Sequence, residues 1–166
     1  SLRTELDEAC AEYASLSIAQ SITAQAIEQY RAKHQGPAVD KAGEYFQRLT
    51  LGRYAGLEVE SGGEGGARLL AQPAGDNPRE LSALSDGTRD QLFLALRLAT
   101  IDLHLEEPGR EPMPIVADDL FINFDDARAR AGLEILGEFA RFTQVLFFTH
   151  HRHLAELARE AIPAEQ

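Results

Sequence analysis

The 166-residue chain has little of what marks a secreted or membrane protein. Its one cysteine, Cys10, cannot form an internal disulfide, which fits a reducing cytoplasm. The sequence has no apolar run long enough to cross a bilayer, and no basic segment followed by an apolar stretch that would indicate a signal peptide. Because it also begins at Ser1 without Met, we expect a cytoplasmic piece of a longer protein, with no membrane partner.

Positive charge is also scarce. The chain has 16 Lys and Arg residues against 27 Asp and Glu residues, for a net charge of -11. A surface that neutralises a nucleic-acid backbone needs clustered basic residues. If DNA is a ligand, we therefore expect other parts of the protein to contact it. The apolar content of 44% is enough for a packed core. The length of 166 residues predicts one domain with an appendage.

The first thirty residues carry a heptad-like apolar pattern with two polar interruptions, at Leu2, Leu6, Ala9, Tyr13, Leu16, Gln20, Thr23, Ile27 and Tyr30. This pattern predicts a long helix of roughly nine turns. It leaves open whether the helix packs on its own domain or belongs to a coiled-coil arm. We expect residues 1–35 to form this arm or helix, Gly36-Pro37 to end it, and a second helix to begin at Pro37 in a domain over residues 36–166.

Residues 54–72 predict a β-hairpin. Two strand-like segments, 54–60 and 67–72, flank the glycine-rich segment 61–66. No Lys-Ser or Lys-Thr follows the glycines and no helical pattern begins there, so the glycines predict a turn rather than a phosphate-binding loop. A polar loop over residues 73–78 follows.

Ser85, Asp86 and Gly87 precede a helix predicted over residues 88–105, whose mostly apolar sequence indicates burial. The free N–H groups and the dipole at a helix start favour an anion, and a glycine lets a ligand approach the backbone. Ser85 or Asp86 could equally be an ordinary N-cap. Taken alone, the segment fits both interpretations.

Asp118 and Asp119 directly follow a short apolar run, residues 115–117. The run suits a buried parallel strand whose C-terminal end opens on a ligand crevice. At such an edge one carboxylate can hold Mg²⁺, and a second can orient or deprotonate an attacking water. Two adjacent acids also occur in solvated turns, but the apolar strand before them favours the functional interpretation.

A third apolar run, residues 144–148, leads to His150. It predicts a strand that follows a helix over about residues 127–142. A histidine at the mouth of a parallel strand can donate to a γ-phosphate or to an attacking water, although a lone histidine is usually structural. His151 and His153 are close in sequence, but their spacing suits the start of a helix running to Arg159 better than a zinc cluster.

In this order the segments resemble the C-terminal lobe of the ABC-type head of SMC-like ATPases of the SbcC/YhaN type. Residues 84–91 are similar to the signature motif, 115–119 to the Walker B strand, 123–125 to the D-loop and His150 to the switch histidine. The resemblance implies an α/β fold that is the C-terminal part of a P-loop NTPase (ABC-type) head. Its mainly parallel sheet would have flanking helices and would be preceded by a long coiled-coil-like helix.

The resemblance also implies a head-to-head homodimer that forms on ATP binding. Ser85 and Gly87 of one head would contact the γ-phosphate held by the other head, and Asp125 would communicate across the interface. Among the remaining candidates, Asp118 would hold Mg²⁺ and His150 would sense the γ-phosphate. Asp119 would activate water, although most such heads have Glu at this position.

A phosphate-binding loop of the form G-x-x-x-x-G-K-[ST] occurs nowhere in the chain, although a nucleotidase of this class needs one. In the family this loop lies in an N-terminal lobe, whose strands would complete the sheet next to residues 145–148. We therefore expect the N-terminal lobe of the same protein as a partner. The isolated chain should be inactive.

Three hypotheses follow. The first is the C-terminal half of an SMC-like ATPase that hydrolyses ATP between two engaged heads in DNA repair or DNA processing, with a nuclease subunit as a candidate partner. The second is an ATP-gated clamp or scaffold with slow hydrolysis. The third is an α/β interaction domain that binds no nucleotide, in which the acids and the histidine are caps and surface groups.

Overall fold

The computed structural model describes residues 2–62 and 66–162. The chain divides into two compact units, Ser1–Pro37 and Ala38–Gln166. A three-residue 3-10 turn, Leu81–Ala83, precedes the second helix, and the helices and strands in chain order are α1 (Leu2–Leu49), β1 (Tyr54–Gly62), β2 (Gly66–Pro73), β3 (Arg79–Glu80), α2 (Asp86–Glu106), β4 (Ile115–Asp118), α3 (Asp126–Phe139), β5 (Val145–Phe148) and α4 (Arg152–Ala161). Within the described ranges, no helix is both long and apolar enough to cross a membrane.

Helix α1 is one helix from Leu2 to Leu49, so the predicted helix end at Gly36-Pro37 is wrong. Pro37 removes one backbone N–H, and its ring normally clashes with the Cβ of the residue before it. That residue is Gly36, which has no Cβ, so part of the usual clash is absent. Beyond the proline, Phe46 and Leu49 are fully buried, and their packing stabilises the last turns.

The predicted hairpin is confirmed. Strands β1 and β2 pair antiparallel, with Glu58 opposite Leu70, and the short strand β3 pairs with the other edge of β2. The tip of the predicted turn, residues 63–65, lies outside the described residues. Helix α1 approaches β1 closely at Gly43, where a Cβ would lie 3.1 Å from the backbone nitrogen of Leu57. A Cβ there would require the helix and the strand to move apart slightly.

Strands β4 and β5 form a parallel pair, in register from Ile115 opposite Val145 to Asp118 opposite Phe148. Ala117 is buried on one face of the pair, but Val116 on the other face is 65% exposed. The prediction of a parallel strand is therefore confirmed, and the prediction that it is buried is wrong for this face. The α/β class is confirmed, although in the described residues the antiparallel sheet has three strands and the parallel one two.

The end of α1 is bonded to the two helices that follow the hairpin. Lys41 Nζ lies 2.6 Å from Asp102 Oδ2, and the Tyr45 hydroxyl donates to the same oxygen over 2.9 Å. Burial, together with this hydrogen bond, raises the pKa of Tyr45, so its hydroxyl keeps its proton. Arg48 binds both carboxylate oxygens of Glu138 on α3, at 2.8 and 2.6 Å. These bonds join residues 41–48 to α2 and α3 in addition to the apolar core.

A close contact in the core gives the first prediction. A Cβ at Gly132 would lie 2.7 Å from Cζ of Phe121, whose side chain is 1% exposed. Gly132→Ala should therefore lower the free energy of unfolding by about 1–3 kcal/mol through overpacking, as measured by urea denaturation. Combined with Phe121→Leu, the loss should be smaller than the sum of the two single losses. Additive losses would show that the ring and the glycine do not conflict.

Candidate functional site

The candidate site lies where the two parallel strands end. Because β4 and β5 run in the same direction, their C-terminal ends meet at one edge of the sheet, where ligands of such sheets bind. Asp118 is the last residue of β4 and is exposed. Asp119 follows it, and its backbone N–H donates to the carbonyl oxygen of Phe148 over 3.0 Å. The ends of the two strands are thus bonded to each other beside the two carboxylates.

The structure brings together the two residues that the sequence assigned to catalysis. The Oδ2 atom of Asp119 lies 2.6 Å from Nδ1 of His150, and Oδ1 accepts a hydrogen bond from the His150 backbone N–H over 3.3 Å. Asp119 has a φ of 47°, in the left-handed region that few residues other than Gly, Asn and Asp adopt. The Asp119 side chain is 28% exposed and the His150 side chain 66% exposed. The imidazole therefore remains open to solvent although one of its nitrogens is bonded.

Two opposing effects act on the Asp119 carboxyl. Partial burial raises its pKa, but the hydrogen bonds from the His150 ring and backbone outweigh the burial. The net result is a pKa below the ordinary aspartate value. Asp119 is therefore fully ionised at neutral pH and is a weaker base than an unperturbed aspartate.

Ser85 is the N-cap of α2. Its Oγ accepts from the backbone N–H of Thr88 over 3.3 Å and lies 2.8 Å from the Thr88 hydroxyl. The structure therefore confirms that Ser85 is an N-cap. The other N–H groups in the first turn of α2 have no partners within the helix. A Cβ at Gly87 would meet nothing within 4 Å, so this chain leaves the space beside it open. A ligand or a second chain can approach the backbone there.

Asp125 is the N-cap of α3. Its Oδ1 accepts from the Arg128 backbone N–H over 2.9 Å, and its Oδ2 pairs with the Arg128 guanidinium. In the loop before it, Asn123 donates to Asp90 of α2 over 3.1 Å. The loop after β4 and the first turns of α2 are therefore directly connected, which the sequence analysis did not foresee.

A cleft of about 430 Å³ adjoins the two carboxylates. Two exposed apolar side chains, Phe93 and Ile122, line it at 63% and 54% exposure. The full lining is Asp90, Phe93, Leu94, Arg97, Asp118, Asp119, Leu120, Ile122, Asn123 and Phe124. Phe93 and Arg97 were not predicted to line a site, because the apolar sequence of α2 indicated a buried helix. The run Leu92-Phe93-Leu94 could have shown that one apolar side chain is exposed, because three consecutive residues of a helix cannot all face one core.

Among the residues that the structure describes, no group of three or more His, Cys, Asp or Glu side chains could hold a metal ion, and this includes His150, His151 and His153. Magnesium needs fewer protein ligands, because it usually takes one or two carboxylates and completes its shell with water and phosphate oxygens. An exposed Asp118 at the end of a strand fits that requirement.

The chain is similar in sequence to two large proteins, although no family model matches it. It is 26% identical over 161 residues to the uncharacterized protein YhaN of Bacillus subtilis (strain 168), covering 93% of the chain and 16% of YhaN. It is 30% identical over 113 residues to the chromosome partition protein Smc of Halothermothrix orenii, covering 66% of the chain and 9% of that protein. The chain therefore spans a small part of each relative.

Its fold is similar to that of a solved SMC ATPase, from work on ATP-driven dimerization and DNA-stimulated activation. The match has a TM-score of 0.62 at 18% identity and covers 78% of this chain and 76% of the other. The resemblance to an SMC-like ATPase head is confirmed. The chain has the fold of the C-terminal lobe of an SMC-like head, which agrees with the order of its motifs and with the absence of a phosphate-binding loop.

In this chain, Asp125 has a structural role that can be separated from any role in an interface. Asp125→Ala removes the α3 N-cap and should lower the free energy of unfolding by about 0.5–2 kcal/mol in urea denaturation. Asp125→Asn keeps an acceptor for the Arg128 N–H and should lose clearly less. If both variants are as stable as the parent chain, the cap does not contribute to the stability of α3.

Proposed function

We propose that the chain is the C-terminal half of an SMC-like ATPase that binds and hydrolyses ATP between two engaged heads. One observation carries the proposal. Asp118, Asp119 and His150 lie at the C-terminal edge of a parallel strand pair, within a fold similar to SMC ATPase heads. Carboxylates and a histidine at this edge can supply magnesium binding and contact with a γ-phosphate.

In this proposal the site is shared between two chains. Asp118 would hold Mg²⁺, which when bound neutralises charge on the phosphates. Ser85 and Gly87 would contact the γ-phosphate of ATP held by the opposite head, and the open space beside Gly87 supports this role. Asp125, exposed at the start of α3, would lie at the interface between the heads.

An exposed face of the parallel strand pair supports the N-terminal lobe of the same protein as a partner. Parallel sheets in α/β proteins are covered on both faces. Here Val116, Leu146 and Phe148 on one face are 65%, 37% and 54% exposed. We propose that the N-terminal lobe, which would carry the phosphate-binding loop, covers this face and pairs with the free edge of β5.

We also propose that residues 1–35 are the end of a coiled-coil arm. The described seam residues are all exposed, at Tyr13, Leu16, Gln20 and Thr23. Tyr13 and Leu16 are 76% and 63% exposed, which leaves apolar surface for a second helix. The other seam side chains lie outside the described ones.

We also make a broader proposal about the cellular role of the ATPase. The family resemblance favours a cytoplasmic role in DNA repair or processing, with a nuclease subunit as partner. The net charge of -11 supports DNA contact by other parts of the protein and not by this lobe.

A second function, an ATP-gated clamp or scaffold with slow hydrolysis, is favoured by one specific contact. Both oxygens of the Asp119 carboxylate are engaged by His150, one by its backbone N–H and the other by its ring, so the carboxylate is not directed at a water. Heads of this kind would still engage on binding ATP. Single-turnover hydrolysis in the two-lobed protein separates a slow clamp from a fast ATPase.

The ATPase proposal predicts that hydrolysis needs both lobes. This chain alone should not hydrolyse Mg-ATP, and a protein that also contains the N-terminal lobe should. In that protein Ser85→Arg should lower turnover by about 100-fold or more, because it blocks contact with the γ-phosphate of the opposite head. Asp118→Asn should cause a comparable loss that added magnesium partly offsets.

Ser82→Arg is the matched control for the signature variant. Ser82 is exposed and lies three residues before Ser85, in the 3-10 turn, so an added arginine there should leave turnover unchanged. ATP binding without turnover would favour the clamp. If the two-lobed protein binds no nucleotide, the interaction-domain hypothesis replaces both proposals.

The bare sheet face predicts where the lobes meet. Val116→Lys should leave the fold of this chain intact, because the side chain is 65% exposed, yet weaken association with the N-terminal lobe by roughly tenfold or more. Association can be measured by calorimetry on separately produced lobes. Val59→Lys, on the hairpin at 40% exposure, should have no effect and serves as the control. Equal affinities for all three proteins would place the N-terminal lobe elsewhere.

A further inference from the structure

The Asp119 carboxylate directs both of its oxygens at one neighbour. Oδ1 accepts from the His150 backbone N–H over 3.3 Å, and Oδ2 lies 2.6 Å from the His150 ring nitrogen Nδ1. An ionised carboxylate can only accept, so Nδ1 must carry the proton in this contact. This contact leaves the other ring nitrogen, Nε2, on a side chain that is 66% exposed.

The length of the Asp119 side chain suits this contact. Asp118 pairs with Phe148 across the two strands, so Asp119 and His150 leave neighbouring strand ends. Adjacent strands lie about 4.8 Å apart, a gap that a short carboxylate can bridge to both a backbone N–H and a ring. The left-handed φ of 47° at Asp119 directs the side chain there, and Asp tolerates that φ better than a longer residue does.

We propose that Asp119 is a positioning residue that acts through His150, and not the group that takes a proton from the attacking water. This inference rests on the proposed ATPase function and assigns the short acid a role of its own. Asp119 fixes the orientation of the His150 ring through these two contacts, so that Nε2 faces the γ-phosphate edge of the site.

A double-mutant cycle in the two-lobed protein tests the inference by single-turnover hydrolysis. Asp119→Asn and His150→Asn should each lower the rate about 10- to 100-fold, and the double variant should be no slower than the slower single variant. Asp119→Glu should also lose activity, because the longer side chain cannot keep both contacts at this φ. His153→Asn, an exposed histidine on α4 without a contact to Asp119, is the matched control and should match the parent.

A readout without turnover uses the same proteins. Because His150 would meet the γ-phosphate, Asp119→Asn, His150→Asn and the double variant should lose the preference for ATP over ADP to the same extent. Two results, each with a parent protein that hydrolyses ATP, would overturn the positioning role of Asp119 but not the ATPase function. In one, the rate losses of the two single variants add in the double variant, and in the other, Asp119→Glu is at least as fast as the parent. A parent protein that binds no nucleotide would overturn both.

Discussion

The arrangement of the site depends on the parallel pairing of β4 and β5. Four residues on each strand pair in register, so the chain leaves both strands at the same edge. Asp118 and Asp119 leave one strand there, and His150 follows the other. Were the register shifted by one residue, every side chain on the shifted strand would change faces and the carboxylate would not reach the imidazole.

Helices α2 and α3 pack in the same hydrophobic core. Each helix begins at a polar N-cap residue near the site. Ser85 caps α2 and Asp125 caps α3, so both residues have a structural partner within the chain. The roles as cap and as ligand are compatible, because a cap satisfies one or two of the four free N–H groups at a helix start. The structure thus has these residues as helix caps, and the hypothesis that the start of α2 binds an anion still stands.

Local pattern was enough to predict much of the fold. The hairpin, α2, β4, α3, β5 and α4 all follow from apolar periodicity and turn residues, and their order pointed to the α/β class. The path of α1 through Pro37 was not predicted, because it depends on the glycine before the proline and on burial of Phe46. The exposure of Val116 was missed because an apolar run does not show which face of a strand is covered within the chain.

The sequence predicted that Asp118, Asp119 and His150 lie at the ends of strands, but it did not predict the contacts between them. Asp119 and His150 are 31 residues apart in sequence, and no local pattern gives the backbone angle that joins them. The cleft lined by Phe93 was not predicted for a related reason. In a mostly apolar helix, the sequence alone does not show which apolar side chain is exposed. Motif order thus identifies which residues meet, while the distances between them determine what each can do.

We propose that this lobe contributes half of a nucleotide site and that a second head completes it. The most direct measurement is a structure of the two-lobed protein with Mg²⁺ and a non-hydrolysable ATP analogue. We expect a dimer in which Asp118 lies beside the magnesium of its own head, and Ser85 and Gly87 contact the γ-phosphate held by the other. A nucleotide bound within one head and remote from Ser85 of either chain would contradict it.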